Sequence, residues 1–322
     1  MMKSEHIPGA KIPRKKVDGV LLLDKPEGIS SNAALQRARR LFQAEKAGHA
    51  GTLDPLASGL LPLCFGEASK FSSDLLNADK TYVAEIVFGI ATTTGDREGE
   101  ITSRAPQALL TALTAREIEA VLPKFTGELC QIPPMYSALK RDGQPLYALA
   151  RQGITVERKE RPVTIHALRC LDFSPATLPR CRLEVHCGKG TYIRVLAEDI
   201  GKALGCGASL YALRRTRVGR LRLEDAEMLS PLEDLAARNP EKLAESLLPV
   251  DALLSTLPSA YLAEAERTRF ICGNPVACPV SAPKKADIEF KVYDMTGSFL
   301  GSGQIREDGK LWPKRLLARI LP

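Results

Sequence analysis

The chain has 322 residues, 44% of them apolar, which is enough for two domains and a sizeable buried core. Lysine and arginine exceed the acids by 45 to 38, and this net charge of +7 admits a polyanionic partner without requiring one. No apolar run approaches the roughly 20 residues that span a bilayer, and the eight cysteines include no C-x-x-C pair, which speaks against a zinc site and against disulfide stapling.

Residues 1–18 have no apolar h-region and read as a flexible basic arm, not a secretory leader. The apolar run 19–23 predicts a buried strand that ends in the turn-forming Asp24-Lys25-Pro26-Glu27-Gly28. Ser30, Ser31 and Asn32 are good caps for a helix whose stripe is Ala34, Leu35, Ala38, Leu41 and Phe42. Residues 82–90 alternate as a strand and run into a polar loop at 92–99, and 106–123 reads as two short helices. The stretch 127–153, with Pro133, Pro134, Lys140, Arg141, Gly143 and Arg151, lacks a clear period and reads as a long excursion from the sheet. Residues 180–187 form a strand with Cys181, Leu183, Val185 and Cys187 on one face. Residues 191–204 form a helix stopped by Gly205, and 231–249 is helical and charged. Past a boundary between Pro249 and Pro258, two strands at 289–295 and 298–305 flank the hairpin signal Thr296-Gly297. The irregular succession of strands and helices favours α+β with a mixed or antiparallel sheet over a doubly wound one.

The most informative segment is 48–63. Gly48, Gly51 and Gly59 let the backbone approach a ligand closely or adopt positive φ. Pro55 restricts Asp54 to an extended conformation, so a lone carboxylate sits in a stiff, largely apolar loop beside His49. On these grounds alone Asp54 also fits an Asp-Pro turn. A phosphate loop is dismissed because Lys189 is followed by glycine, and a zinc deaminase because H-x-E and P-C-x-x-C are absent.

Residues 49–59, His-Ala-Gly-Thr-Leu-Asp-Pro-Leu-Ala-Ser-Gly, resemble the catalytic motif of the bacterial tRNA pseudouridine-55 synthases, the B-type pseudouridine synthases. The resemblance is ordered along the chain: 24–31, 80–84, 131–153, 190–194 and 213–219 match further motifs of that family. It implies an α+β catalytic domain at 19–255, with a mixed or antiparallel sheet, flanking helices and an RNA-clasping insertion at about 127–153. A small β-rich, PUA-like RNA-binding domain at 256–322 follows. It implies that Asp54 is the nucleophile and that Tyr82, Tyr192 and Leu213 line the pocket. Arg194 would pair with Asp54, and His49 would fill the place that a flipped-out base leaves. Lys25, Lys80, Lys140, Arg141 and Arg151 are candidates for the RNA backbone. The implied reaction, uridine 55 of the tRNA T-arm to pseudouridine, calls for no metal and no organic cofactor. The implied protein is a cytoplasmic monomer without an obligatory protein partner, compatible with an added tRNA-folding role. The rival readings are a synthase for another RNA site and a non-catalytic tRNA-binding protein.

Overall fold

The computed structural model describes residues 14–141, 143–277 and 287–318. Most of the N-terminal arm, Cys278 and Arg319 lie outside the described residues. The chain opens with β1 (Gly19–Lys25), α1 (Ser31–Leu41), β2 (Ala47–His49), β3 (Ala57–Phe65), α2 (Ser72–Asn77) and β4 (Lys80–Phe88). A small hairpin, β5 (Ile90–Thr92) and β6 (Ile101–Arg104), leads to α3 (Gln107–Ala112) and α4 (Ala115–Val121). Then come β7 (Gly127–Gln131), the hairpin β8 (Lys140–Arg141) and β9 (Gln144–Pro145), and α5 (Leu146–Arg151). β10 (Arg161–Ser174), β11 (Arg180–Cys187), α6 (Ile193–Ala203), β12 (Ala208–Val218), β13 (Leu221–Arg222), β14 (Glu227–Met228) and α7 (Leu229–Arg238) follow. The C-terminal unit holds β15 (Ser259–Leu262), α8 (Glu264–Ile271), β16 (Val276–Ala277), β17 (Glu289–Asp294), β18 (Phe299–Ile305) and β19 (Lys310–Leu316).

The large sheet runs β14-β1-β3-β12-β4-β11-β10-β7, with β2 beside β3 and β13 beside β12. It is mixed: β12 is parallel to β3 and antiparallel to β4. Its β1–β3 half is buried on both faces. Leu21, Leu23, Leu61 and Leu63 pack with α1, while Val20, Leu22, Leu60 and Cys64 pack with Phe71, Leu253 and Leu254. Two covered faces explain the continuous apolar runs of these strands. The α1 helix starts where Ser30 Oγ accepts the Ala33 N–H at 3.1 Å. On the other half, Cys181, Leu183, Val185 and Cys187 join Leu196, Ala197 and Ile200 of α6 in one cluster, as their alternation predicts.

Four strands differ from the sequence reading. The strand expected over 82–90 ends at Phe88, because Gly89 turns the chain at φ +87°. Residues 127–131 are not part of an excursion: β7 is the edge strand of the large sheet, paired with β10. No strand period is visible in β12, which carries Arg214, Arg215 and Arg217, or in β10, which buries only Val163 and Ile165 fully.

The C-terminal sheet, ordered β15-β17-β18-β19-β16, has its own core of Ala260, Leu262, Phe270, Val292, Leu300 and Leu311. It docks on the large unit through Phe299 against Phe71 (ring centroids 5.7 Å apart) and through Tyr293, whose hydroxyl donates to Asp251 at 2.6 Å. Arg315 adds a bond to Ser73 Oγ at 2.7 Å and a pair with Asp74 at 3.3 Å.

Candidate active site

The β2–β3 loop carries Asp54, and its backbone is tied down residue by residue. Ser31 Oγ accepts the Leu53 N–H at 2.8 Å and donates to Leu53 O at 2.9 Å. Gly28 N donates to Pro55 O at 2.8 Å, and Ala57 N to Asp54 O at 3.0 Å. Leu53 and Leu56 are buried beneath it. At the loop's exit Gly59 (φ +101°) lies so close to β12 that a Cβ there would sit 2.3 Å from Arg215 O. Only glycine permits this approach, and it holds the loop against β12.

Asp54 is half-exposed, and its Oδ2 lies 3.0 Å from Nη2 of Arg194, whose side chain is only 6% exposed. The guanidinium also donates to Thr94 O at 3.0 Å and Tyr136 O at 2.7 Å, and faces Asp96 Oδ2 at 3.6 Å. Asp96, itself buried, accepts from Thr94 Oγ1 at 2.5 Å and from Glu98 N at 3.0 Å. A buried cation is thus flanked by two carboxylates, one sealed in and one facing the opening, with its remaining donors satisfied by carbonyls. The negative charges of Asp96 and Asp54, behind desolvation as the main cause, raise the pKa of Glu98.

Tyr82 and Leu213 come from the neighbouring strands β4 and β12, and each packs against both core clusters of the large sheet. Burial raises the pKa of the Tyr82 phenol, so it is a neutral ring near the carboxylate. Tyr192 caps the start of α6, two residues before Arg194, and burial raises its pKa as well. His49 sits on β2; burial first, then the charge of Arg215, lowers its pKa, so the imidazole is neutral at neutral pH. Asp54 thus pairs with Arg194 and lies within electrostatic reach of Tyr82 and Tyr192, Leu213 packs in the same clusters as Tyr82, and His49 sits on the strand leading into the Asp54 loop.

Two of the lysines expected at the RNA backbone stand elsewhere. Lys25 is fully buried, donates to Pro26 O at 2.8 Å and Ile29 O at 2.7 Å, and is pushed down to about 8 by burial, the Asp54 charge opposing. Lys80 is buried too, donates to Leu75 O at 3.1 Å, Leu76 O at 2.9 Å and Ala78 O at 2.5 Å, and is also lowered to about 8 by burial. Both ammonium groups hold turns together, and neither is presented to a phosphate. Lys140, Arg141 and Arg151 are exposed on the insertion, Arg141 donating to Glu157 O at 3.1 Å and Arg151 lying over the Tyr147 ring at 5.6 Å.

Sequence reasoning did not single out Asp96, Gln131 or Arg215. Arg215 is 1% exposed and donates to Leu60 O at 2.8 Å and Gly51 O at 3.2 Å, fastening the loop from below. Its neighbour Arg214 binds Asp24 with both ends of its fork, at 3.1 and 2.6 Å. The run Leu213-Arg214-Arg215-Thr216-Arg217 was visible, but nothing local tells a buried arginine from a solvated one. Among the described residues no cluster of three or more metal-ligating side chains forms.

The mixed sheet with its flanking helices and the small β-rich C-terminal unit are those of the pseudouridylate synthases, a class of isomerase. Residues 39–193 match the N-terminal domain model of the TruB family of pseudouridylate synthases. Residues 194–255 match a tRNA pseudouridylate synthase B C-terminal domain, and 258–317 the C-terminal segment of pseudouridine synthase II TruB. The chain belongs to the TruB family. It is 57% identical over 305 residues to tRNA pseudouridine synthase B of Dechloromonas aromatica, covering 94% of this chain and 96% of that one. It is 53% identical over 313 residues to tRNA pseudouridine synthase B of Burkholderia mallei, covering 96% and 97%. Among solved structures, a Cbf5-Nop10-Gar1 complex matches with a TM-score of 0.72 at 25% identity, over 97% of this chain and 91% of that one. An H/ACA RNP bound to a substrate RNA containing 2'-deoxyuridine shares the fold, with a TM-score of 0.71 at 22% identity, over 94% and 87%.

Proposed function

We propose that this protein converts uridine 55 in the T-arm of tRNA to pseudouridine, with Asp54 as the nucleophile. The observation that carries the reading is the Asp54–Arg194 pair at 3.0 Å: a half-exposed carboxylate held from behind by a buried guanidinium. Tyr82, Tyr192 and Leu213 supply walls against which a uracil ring can pack. A base inside a folded arm cannot reach Asp54, so the nucleotide is taken out of its stack, and neutral His49 is suited to fill the gap. Asp54 attacks either C1′ of the ribose or C6 of the uracil. The N1–C1′ bond breaks, the uracil turns, C5 bonds to C1′, C5 loses its proton and N1 gains one. The product is an isomer and Asp54 is released unchanged, so the balance needs no oxidant or reductant.

The exposed cations of the insertion, Lys140, Arg141 and Arg151, meet the phosphates of the arm, and the C-terminal unit extends the contact beyond it. The protein acts as a cytoplasmic monomer. No helix among the described residues is long and apolar enough to cross a membrane, and the described cysteines are free thiols, which suits a reducing compartment. The deciding experiment is mass mapping of tRNA transcripts incubated with the protein. Pseudouridine at position 55, absent from a transcript with cytidine there, is the expected result. Modification at another uridine would move the site, and binding without modification would make the protein a tRNA-binding factor.

A further inference from the structure

Gln131 is 3% exposed at the end of the edge strand β7, where the chain leaves the sheet for the insertion. Its carboxamide is engaged at both ends by one residue: Oε1 accepts the Tyr192 N–H at 2.9 Å, and Nε2 donates to Tyr192 O at 3.3 Å. This imitates one rung of a β-ladder between a side chain and a main chain. Tyr192 is the N-cap of α6, its side chain makes no capping bond, and its carbonyl already accepts the first helical bond, from Leu196 N at 3.1 Å. Gln131 thus ties the start of α6 to the end of β7, and Arg194 lies within the first turn of that helix. A second tie crosses the same junction: Arg194 Nη2 donates to Tyr136 O, in the insertion segment that Gln131 opens, at 2.7 Å. Ile193 and Leu196 of the same turn pack in the apolar core, and the polar ties add to that packing. A cavity of about 560 Å³, lined among others by Gln131, Ile132, Tyr136, Thr94, Val195 and Glu198, runs along the junction.

We propose that Gln131 is a positioning residue of the site: by clamping the backbone of Tyr192 it holds the start of α6, and through it the Arg194 guanidinium, in register with Asp54. The proposal rests on the reading of Asp54 as the nucleophile. It makes the root of the insertion a determinant of the chemical step as well as of RNA capture. Displacing a catalytic group by an ångström costs about 10²-fold in rate.

The test uses the full chain and a tRNA transcript, with single-turnover rates followed over hours. Turnover by the unaltered chain, and its loss in Asp54→Asn, test the underlying reading separately. Gln131→Met keeps the volume and removes both bonds, and is expected to lower the rate about 10- to 100-fold while tRNA affinity stays within about 2-fold. Gln131→Glu keeps an acceptor for the Tyr192 N–H and is expected to lose less. The decisive measurement is a double-mutant cycle with Arg194→Lys. A residue that acts through Arg194 has little left to lose in that background, so Gln131→Met is expected to cost under about 3-fold there. An equal cost in both backgrounds, or a full-speed Gln131→Met variant, overturns the proposal and leaves Gln131 a structural amide.

Discussion

Asp54 and Lys25 show how burial divides labour between two neighbouring charges. Asp54 keeps an open face, and its partner Arg194 is the buried member of the pair. Asp54→Asn preserves shape and removes the proposed nucleophile. Turnover is expected to fall by roughly 10⁴ or more with tRNA affinity within several-fold, checked by single-turnover assay and filter binding on one sample. Substantial residual turnover, with deamidation excluded, would sink the assignment. Lys25 is the converse case, sealed in and pushed down to about 8. The unfolded chain holds that proton to about 10.5, so between pH 8 and 10.5 the unfolded state binds more protons and folding strengthens as pH rises. Below about pH 8 both states are charged and the cost of burying the ammonium is fully present. The expected gain is on the order of 3 kcal/mol across that window and is absent from Lys25→Met. Denaturant midpoints of both proteins at about pH 7.5 to 10.5 measure it, and parallel curves would refute it. The motif made Asp54 legible in the sequence. The burial of Lys25 was not legible, because a lysine whose donors are spent on carbonyls within four residues looks like any turn lysine.

At the scale of elements, legibility followed periodicity. α1, α6, β1 and β11 have clean stripes or apolar runs because each buries a whole face, and their positions were readable. β12 is central, yet it carries Arg214, Arg215 and Arg217, and the first two are matched by partners far along the chain, Asp24 and the carbonyls of Leu60 and Gly51. No window of sequence contains those partners. β10 hides for another reason: it lies near the sheet edge and buries only Val163 and Ile165 fully, so exposed polar residues blur its alternation. The insertion shows a mixture. Its first five residues are β7, fixed by pairing to β10, while beyond Gln131 it exposes Ile132, Tyr136, Tyr147 and Ile154. Large apolar side chains left in water beside Lys140 and Arg151 suit a surface that a folded RNA covers. Hydrogen exchange with and without tRNA is therefore expected to show new protection over 132–153 and none over 127–131, which the sheet already protects. Equal exchange of 132–153 in both states would make the insertion a fixed loop.

The molecule's two large sheets are joined by a contact that was not legible in the sequence, since Phe71 and Phe299 are distant and each fits its own local pattern. That contact alters what removing the C-terminal unit means. Truncation near Pro258 strips Phe299 from Phe71 and Tyr293 from Asp251, so melting is expected to drop by several degrees whether or not the unit touches RNA. Stability therefore does not tell an RNA-binding unit from a structural one, but salt dependence does. Two of the basic residues near the end of the chain already have partners, Lys314 with Glu289 and Arg315 with Asp74. Lys310 is exposed and makes no ion pair among the described residues. If the unit meets tRNA phosphates, truncation flattens the plot of log affinity against log salt, by roughly 0.7 to 0.9 for each phosphate that is no longer neutralised. Lys310→Gln in the full chain, which leaves the Phe71–Phe299 contact alone, is expected to account for one such step. The rate at saturating tRNA survives, because Asp54, Tyr82 and Arg194 all precede the cut. Titration of whole tRNA and of an isolated T-arm hairpin across a range of salt measures both effects, the hairpin losing less affinity because it ends before the unit. A slope unchanged in the truncated chain and in Lys310→Gln alike would make the C-terminal sheet a brace for the catalytic unit and nothing more.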